Sequence, residues 1–451
     1  MRWTDRACWL IVSVALVATP APSATDDVVR VSWMLDGTGG PARHESYITI
    51  HNGHIGAVSS ERPREAVRLL DFSGNTAIPG LVDAHGHLVN FGLDPDHSNP
   101  LLESRERDAW VVCNARLALA GGVTTIRDAG TYDWVLPLRR QLESVGPRWI
   151  VAGRQMVKRA PDAYMSAMFV EFDGAPEARS VVRRLRDDGA DFIKLRLTRL
   201  RPLPALEEVR AIVEEAHRLG LTVAVHTDVP HDDAVHLALA GGVDTLEHNA
   251  VLRLKDKTVL ADIVPHGIVI VPGMANWEAR METLSRPPGE IIEEPLRSRL
   301  PPRLRQLITQ HAIEVRAAVE KMVEGGFDPG LRRQQALKET RDAYEAGVLL
   351  ATGPDTGVSL MPHGRVYKDA YWLAEAGLTI EQVVRAATLN GARAAGIDKE
   401  TGSLEVGKLA DILIVKGNLT DDYRRLKDVV LVVRSGRVVF DSRTPYVVGC
   451  Q

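Results

Sequence analysis

The chain reads Ile78-Pro79-Gly80-Leu81-Val82-Asp83-Ala84-His85-Gly86-His87-Leu88 at the point that decides its fold. A short apolar run follows the Pro-Gly pair and leads to two histidines that stand two residues apart. Side chains alternate between the faces of a β-strand, so both imidazoles point the same way and can reach one ion. The stretch predicts a strand that carries metal ligands. Taken alone, two polar residues at an exposed strand end would fit as well.

Other residues that suit the same site occur further along the chain, at or just after the C-terminal end of a short apolar run. These are Lys194, His226, His248 and Asp355. In a barrel of parallel strands, active sites lie at the C-terminal ends of the strands. The shared placement therefore predicts that these residues join His85 and His87 in one site.

A recurring glycine-containing motif marks the places where a helix ends and a strand begins. It reads Ala-Gly-Gly-Val at 120–123 and 240–243 and Ala-Gly-Val at 346–348. Glycine just past a helix end suits the left-handed cap geometry, and repeated helix–strand units imply a parallel sheet. The predicted strands are Val82 to Ala84, Thr124 to Arg127, Trp149 to Ala152, Phe192 to Leu197, Val223 to Val225, Thr245 to Leu246, Ile268 to Val271 and Val348 to Thr352. Eight strands predict a closed (β/α)8 barrel of the TIM type.

Both ends of the chain have a strand-and-turn pattern instead, with hairpin signals such as Asn52-Gly53 and Ser435-Gly436. We predict a small β-sandwich domain built from both termini, residues 25–76 and 403–447, around a barrel at 77–402. Residues 272–330 form an insertion that is longer than a barrel loop needs to be. Such an excursion is typical of a lid over the site, while a contact in a homo-oligomer is the alternative, and the sequence leaves both open.

The first residues have the pattern of a secretory signal peptide. Arg2 and Arg6 precede an apolar run from Ala7 to Ala18, and small residues and prolines follow. An amphipathic first helix is the alternative, but the run has no polar face apart from Ser13. We predict a signal peptide at 1–24, cleaved between Ala18 and Thr25, and export to a periplasm or the medium.

The composition limits the partners of the mature chain. A net charge of −4 gives no basic field for nucleic acid or an anionic membrane, so we expect neither as a partner after signal removal. The cysteines, Cys8, Cys113 and Cys450, do not indicate a disulfide framework. Cys113 is expected to be a small buried apolar residue.

Three motifs in order carry a resemblance to a known family. They are 79–87, already quoted, then Gly-Val-Thr-Thr-Ile-Arg-Asp at 122–128 and Gly-Ser-Leu-Glu-Val-Gly-Lys-Leu-Ala-Asp at 402–411. The chain resembles the amidohydrolase superfamily, and within it the imidazolonepropionase-like and Xaa-Pro dipeptidase-like branch, over nearly everything after residue 27. The resemblance implies a metal-dependent hydrolase barrel with the same arrangement of a terminal β-domain.

The resemblance also implies a centre of two divalent metal ions. Imidazole and carboxylate ligands suit zinc. His85, His87 and Asp355 would bind one ion, His226 and His248 the other, and a carboxylated Lys194 would bridge them. Desolvation of a buried lysine makes that modification chemically reasonable, while an ordinary buried ion pair is the alternative. Asp355 is also the expected catalytic residue, which takes a proton from water and delivers it to the leaving amine.

The expected reaction is hydrolysis of an amide or peptide bond in a small-molecule substrate that bears a carboxylate, such as a dipeptide, an Xaa-Pro-like compound or an N-acyl amino acid. Arg154, Lys158 and Arg196 are candidate carboxylate-binding residues, with solvated loop cations as the alternative. Two other functions stay open. The same centre could attack a cyclic amide or a lactone, or the barrel could bind a ligand without catalysis.

Overall fold

The computed structural model describes residues 27–64, 68–93, 107–160, 166–198, 201–227, 232–248, 251–253 and 258–444. The predicted signal peptide at 1–24 lies outside these ranges. Within them, no helix combines the length and the apolar character that crossing a membrane requires.

The strands of the described residues are numbered here in chain order. They are β1 (Asp27–Met34), β2 (Arg43–His51), β3 (His54–Ser59), β4 (Arg68–Pro79), β5 (Leu81–Gly86), β6 (Val123–Asp128), β7 (Arg148–Val151), β8 (Gln155–Lys158), β9 (Phe169–Phe172), β10 (Phe192–Leu197), β11 (Thr222–Thr227), β12 (Thr245–Glu247), β13 (Val269–Val271), β14 (Leu349–Leu350), β15 (Ile412–Lys416), β16 (Val429–Arg434) and β17 (Arg437–Asp441).

The α-helices of the described residues are numbered in the same way. They are α1 (Arg107–Ala120), α2 (Arg139–Val145), α3 (Ala175–Asp187), α4 (Leu206–Arg218), α5 (Asp232–Gly241), α6 (Val259–Ile263), α7 (Met274–Glu282), α8 (Leu296–Arg299), α9 (Pro302–Glu324), α10 (Pro329–Glu345), α11 (Tyr367–Glu375), α12 (Ile380–Arg385) and α13 (Gly391–Ala394). Short 3₁₀ turns occur at Asp133–Leu138, Val251–Arg253, Pro288–Glu290 and Tyr423–Lys427, and a π-helical turn at Ala386–Asn390.

Strands from both chain ends form the predicted small β-domain. They are hydrogen-bonded into one mixed sheet in the order β17-β16-β15-β4-β1-β2-β3. The turns of its two outer hairpins pack closely against each other. A side chain at Gly436 would not fit there, because its Cβ would lie only 2.6 Å from the Cα of Gly53. The sheet therefore curls over itself, and residues from both of its ends, such as Ile48 and Leu431, share one apolar core.

The barrel contains the eight predicted strands, β5, β6, β7 and β10 to β14. Their hydrogen bonds form two parallel arcs, one of β5-β6-β7 and one that runs from β14 back to β10 and continues into β8 and β9. Ala84 N donates to Thr352 O at 2.9 Å and Asp191 N donates to Val151 O at 2.8 Å, which joins the arcs at both seams. The prediction of a (β/α)8 barrel with a second, terminal β-domain is confirmed.

The glycine-containing motifs lie between a helix and the following strand, as predicted. Helix α1 ends at Ala120 and β6 begins at Val123, and between them Gly122 has a φ of +88°, a conformation that favours glycine. Two strands were not predicted from the sequence. β8 and β9 follow the third barrel strand, and β8 pairs in parallel with both β10 and β9.

Cys113 corrects one expectation. It is fully buried in α1, as expected of a small apolar residue. It is nevertheless disulfide-bonded, so the prediction that the cysteines form no disulfide is wrong.

The segment predicted as an insertion folds into α7, α8 and α9. Helix α9 buries one face at a spacing of three and four residues, with Leu304, Ile308, Ala312, Val315 and Val319. This face packs with Phe91, which follows β5, and with Met361, which follows β14. The segment therefore covers the end of the barrel at which the predicted ligands lie.

Candidate metal centre

Closure of the barrel brings the first and last predicted ligands together. The chain after β14 continues alongside the end of β5, where Asp355 N donates to His85 O at 3.0 Å and His87 N donates to Thr356 O at 2.7 Å. One ligand atom from each of His85, His87 and Asp355 lies within 4.8 Å of the others. This group can hold a divalent metal ion.

Hydrogen bonds on the far side of each ring aim the two imidazoles at this centre. His87 Nδ1 donates to the carbonyl oxygen of Gly130 at 3.0 Å, and His85 Nδ1 bonds to Glu247 Oε2 at 2.5 Å. Both Nε2 atoms are left facing Asp355 Oδ1, at 3.2 Å from His87 and 3.7 Å from His85. Such bonds to the second ring nitrogen are typical of metal-binding histidines, whose orientation and basicity they fix.

Asp355 Oδ1 faces both imidazoles, and although burial acts to lower the pKa of His87, the contact with Asp355 raises that pKa above its usual value. Asp355 Oδ1 is buried and forms no hydrogen bond within the described residues. Burial acts to raise the pKa of Asp355, but its contacts with His87 and His85 hold that pKa well below its usual range, so the carboxylate is ionised. Burial, with the charge of Lys194, lowers the pKa of His85 to about 3, which keeps its imidazole neutral. Neutral imidazole and ionised carboxylate are the forms that bind metals.

The other two predicted histidines extend this group. His226 lies at the end of β11, and His248 directly follows β12. The ring centroid of His248 lies 4.5 Å from that of His226 and 4.8 Å from that of His85. Burial and the neighbouring His226 lower the pKa of His248 to about 3, so this ring is also neutral. The four predicted imidazoles therefore form one continuous group.

Lys194 lies in the middle of β10 and is 1% exposed. Burial lowers the pKa of its amine to about 7, while the carboxylates of Glu247 and Asp355 oppose that shift. Its Nζ has no hydrogen-bond partner among the residues that the structure describes. An ordinary buried ion pair, the alternative considered for this lysine, would provide such a partner. The arrangement instead leaves a readily deprotonated amine beside a cluster of metal-binding groups.

Two of the predicted ligands have an unusual backbone conformation. The φ angle is +62° at Asp355 and +67° at His248. This left-handed region is uncommon for residues other than glycine, and such strained residues cluster at functional sites. At both positions the chain turns sharply just after a barrel strand, which directs the side chain to the centre.

Glu247 and Arg127 belong to this site and were not predicted. Both side chains are fully buried, and Arg127 Nη1 donates to Glu247 Oε1 at 2.9 Å and to the carbonyl oxygen of Ala84 at 3.0 Å. Glu247 also holds His85, so the pair positions a ligand. The sequence did contain a signal. A charged residue within an apolar barrel strand must be paired inside the fold, and both residues stand in such strands.

Each of the candidate carboxylate-binding cations has a neighbouring polar group within the protein. Arg154 pairs with Asp133 at 3.2 Å. Lys158 is held by two carboxylates, those of Asp173 at 2.6 Å and Glu208 at 2.7 Å. Arg196 Nη1 lies 3.4 Å from Gln155 Oε1, and its guanidinium stands 5.7 Å from the ring of Phe169.

A cavity of about 310 Å³ opens directly beside Asp355 and His248. The inserted segment forms much of its wall, with Trp277, Met322 and Phe327. A larger cavity of about 810 Å³ lies at the opposite end of the barrel, where the strands begin, and contains none of the predicted ligands. The smaller cavity therefore opens onto the centre, and the insertion forms part of its wall.

Comparison with known proteins agrees with this geometry. The model of the amidohydrolase family matches residues 76–439. Imidazolonepropionase from Brevibacillus brevis is 25% identical over 425 residues, with 84% of each chain covered. N-acyl-D-glutamate deacylase from Alcaligenes xylosoxydans xylosoxydans is 37% identical over 62 residues, which are 14% of this chain and 12% of the relative. The crystal structure of an Xaa-Pro dipeptidase with bound methionine has the same fold, with a TM-score of 0.71, 24% identity, and coverage of 93% of this chain and 100% of that one.

Glu247→Gln tests whether this carboxylate positions the metal-binding group. The variant keeps the shape of the side chain but removes the charge that holds His85, and we expect zinc affinity to fall by about 10- to 100-fold. Competition with a chromophoric chelator measures that affinity. Glu208→Gln is the matched control, because Glu208 is also buried and ion-paired but lies outside the centre. It should lose stability without losing zinc affinity, and wild-type affinity in Glu247→Gln would contradict the assignment.

Proposed function

The chain belongs to the amidohydrolase family, whose named relatives act on carbon–nitrogen bonds, and from this premise we propose that it cleaves the amide or peptide bond of a small substrate bearing a carboxylate. Dipeptides and N-acyl amino acids are the substrates that fit this description. The observation that carries the proposal is the buried amine of Lys194, which has no hydrogen-bond partner among the described residues and lies beside the four imidazoles and Asp355.

The donor set fits two divalent ions, with zinc suited to its imidazoles and carboxylates. His85, His87 and Asp355 would hold one ion and His226 and His248 the other. The neutral amine of Lys194 can attack carbon dioxide, form a nitrogen–carbon bond and release a proton, and the resulting carbamate would bridge the ions. When bound, such a pair supplies a hydroxide nucleophile and polarises the scissile carbonyl.

The protein's own groups have separate tasks in this reaction. Asp355 is ionised, so it can accept a proton from the attacking water and return it to the leaving amine. Glu247 and the carbonyl oxygen of Gly130 keep the rings of His85 and His87 in place. The inserted segment walls the cavity and limits the access of bulk water.

A hydrolase of cyclic amides or lactones is the second candidate, because the same centre can attack either kind of carbonyl. The similarity to an imidazolonepropionase over most of the chain favours keeping it. A barrel that only binds a ligand is the remote alternative. The complete group of ligands on one barrel face speaks against it.

We also propose that the protein is exported. A disulfide bond at Cys113 suits an oxidising compartment, in agreement with the signal-like start of the chain. The mature protein should begin between Thr19 and Asp27, which N-terminal sequencing of exported material measures. Recovery of soluble cytoplasmic protein that retains Met1 would contradict export.

Lys194→Ala tests the proposed centre. The zinc-loaded wild type should bind close to two equivalents of metal and hydrolyse part of a panel of dipeptides, N-acyl amino acids and lactones. The variant should lose metal and activity together, with partial recovery in added short carboxylic acids that replace the bridging oxygens. Lys368→Ala is the control, since Lys368 is largely buried but paired with Glu282 at 2.8 Å. Full activity of Lys194→Ala would exclude the bridge.

Asp355→Asn separates proton transfer from metal binding. Asparagine keeps an oxygen ligand but cannot accept the proton, so turnover should fall by roughly 10²- to 10⁴-fold while much of the metal stays bound. Metal content and turnover are measured on the same preparation. Asp369→Asn is the control, because Asp369 is buried nearby and only accepts hydrogen bonds from Ala275 N and Gly353 N. If excess metal restores the activity of Asp355→Asn, the residue is a ligand and no proton shuttle.

A further inference from the structure

The cavity beside Asp355 and His248 has two arginines on its wall that the proposed chemistry does not use. Arg332 lies in the first turns of α10, and Arg253 lies at the end of the 3₁₀ turn Val251–Arg253. The helix and the turn pack against each other. Both residues come from segments outside the barrel strands.

Arg332 has unused hydrogen-bonding capacity. Its side chain is only 12% exposed, and Nη1 pairs with Glu339 Oε2 at 3.1 Å. Its Nη2 is buried and has no hydrogen-bond partner within the described residues. A buried donor that lacks a partner costs free energy, and the cost is greater for a charged group. A guanidinium presents its donors as a fork that matches a carboxylate.

The second arginine, Arg253, is an exposed residue on the same cavity wall. Burial and the nearby charge of Arg332 lower the pKa of Arg253, while Glu339 opposes the shift. Glu339 supplies one carboxylate for the two guanidinium groups, and a further anion would balance the positive charge that remains. By contrast, Lys158 already has two carboxylate partners.

Apolar side chains line another part of the cavity wall, next to polar ones such as Asn276. Met274, which is buried, and the half-buried Trp277 and Phe327 lie on it, with Met322 at the rim. Asp355 lies at the end of the cavity where the chemistry would occur. The cavity thus offers an apolar surface, a cationic corner formed by Arg332 and Arg253, and a reaction centre. Its volume of about 310 Å³ is the size of a small-ligand site.

We propose that Arg332 and Arg253 bind the carboxylate of the substrate and that the surface around Trp277 receives an apolar side chain. The substrate class is then an amide of an apolar amino acid that has a free α-carboxylate. This inference rests on the proposed function and deepens it. It also moves carboxylate recognition away from Arg154, Lys158 and Arg196.

Binding of two matched probes tests the cationic corner. N-acetylleucine has the carboxylate, and N-acetylleucinamide has an uncharged amide in its place. Calorimetry on zinc-loaded protein with Asp355→Asn, in which turnover is slow, should show the acid binding about 10- to 100-fold more tightly than the amide, the range for hydrogen bonds to a charged group. Arg332→Met should abolish that preference by weakening the acid alone, and Arg253→Met should reduce it.

Control variants show whether the preference for the acid depends on the guanidinium groups of the cavity. Arg332→Lys keeps the charge without the fork and should give an intermediate preference, and thermal unfolding of each variant checks that it is folded. Arg316→Met removes an arginine of α9 that is paired with Glu320, away from the cavity, and should keep the full preference. No preference in the parent protein, or a preference that survives both Arg332→Met and Arg253→Met, would overturn the proposal.

The apolar surface has its own comparison. N-acetylleucine should bind more tightly than N-acetylglycine, and Trp277→Ala should reduce that difference while leaving the preference for acid over amide. An unchanged difference would overturn this part of the inference. A failure of the proposed function can be recognised separately. In that case the wild type would hydrolyse neither N-acetylleucine nor any other member of the panel, although the preference for acid over amide would persist.

Discussion

The site depends on one buried ion pair inside the barrel. Arg127 on β6 and Glu247 on β12 are both fully buried and face each other across the interior. Removing two charges from water is costly, and hydrogen bonds on their remaining atoms must offset that cost. Arg127 therefore also donates to the carbonyl oxygen of Ala84 on β5, and Glu247 also bonds to His85. Loss of one partner would leave an uncompensated charge, which costs about 3–5 kcal/mol.

The same pair also acts on the protonation of Lys194. Glu247 and Arg127 act on the amine of Lys194 in opposite directions, the first favouring the charged form and the second the neutral form. Burial is the larger effect, and it leaves the pKa of that amine at about 7. A lysine that was fully charged could not take up carbon dioxide, and one without a nearby carboxylate would be harder to keep inside the fold. The ion pair thus connects the geometry of the ligands with the reactivity of the lysine.

Local patterns in the sequence predicted the barrel strands that the structure contains, and they indicated the candidate ligands at or after those strands, because each pattern depends on a few neighbouring residues. A strand that ends in His85-Gly86-His87 places both rings on one face wherever it lies. Contacts between distant segments could not be predicted in this way. The pairing of Glu247 with Arg127 joins residues 120 positions apart, and β8 pairs with β10 across an intervening helix. The left-handed conformations of Asp355 and His248 also arise from the closed barrel, since neither residue is a glycine and the residue type therefore does not predict them.

The structure separates the chemistry from the selection of the substrate. The candidate ligands stand in or just after barrel strands, and backbone hydrogen bonds of the barrel closure hold the segments of His85, His87 and Asp355 together. The cavity wall comes from elsewhere, with Trp277 and Phe327 in the insertion and Arg332 on α10. Replacing a residue of that wall leaves the strand ends in place, so it can change which molecule is bound without moving the reacting groups. This division follows from the barrel itself, in which rigid strands position the reaction centre and the connecting segments are free to vary.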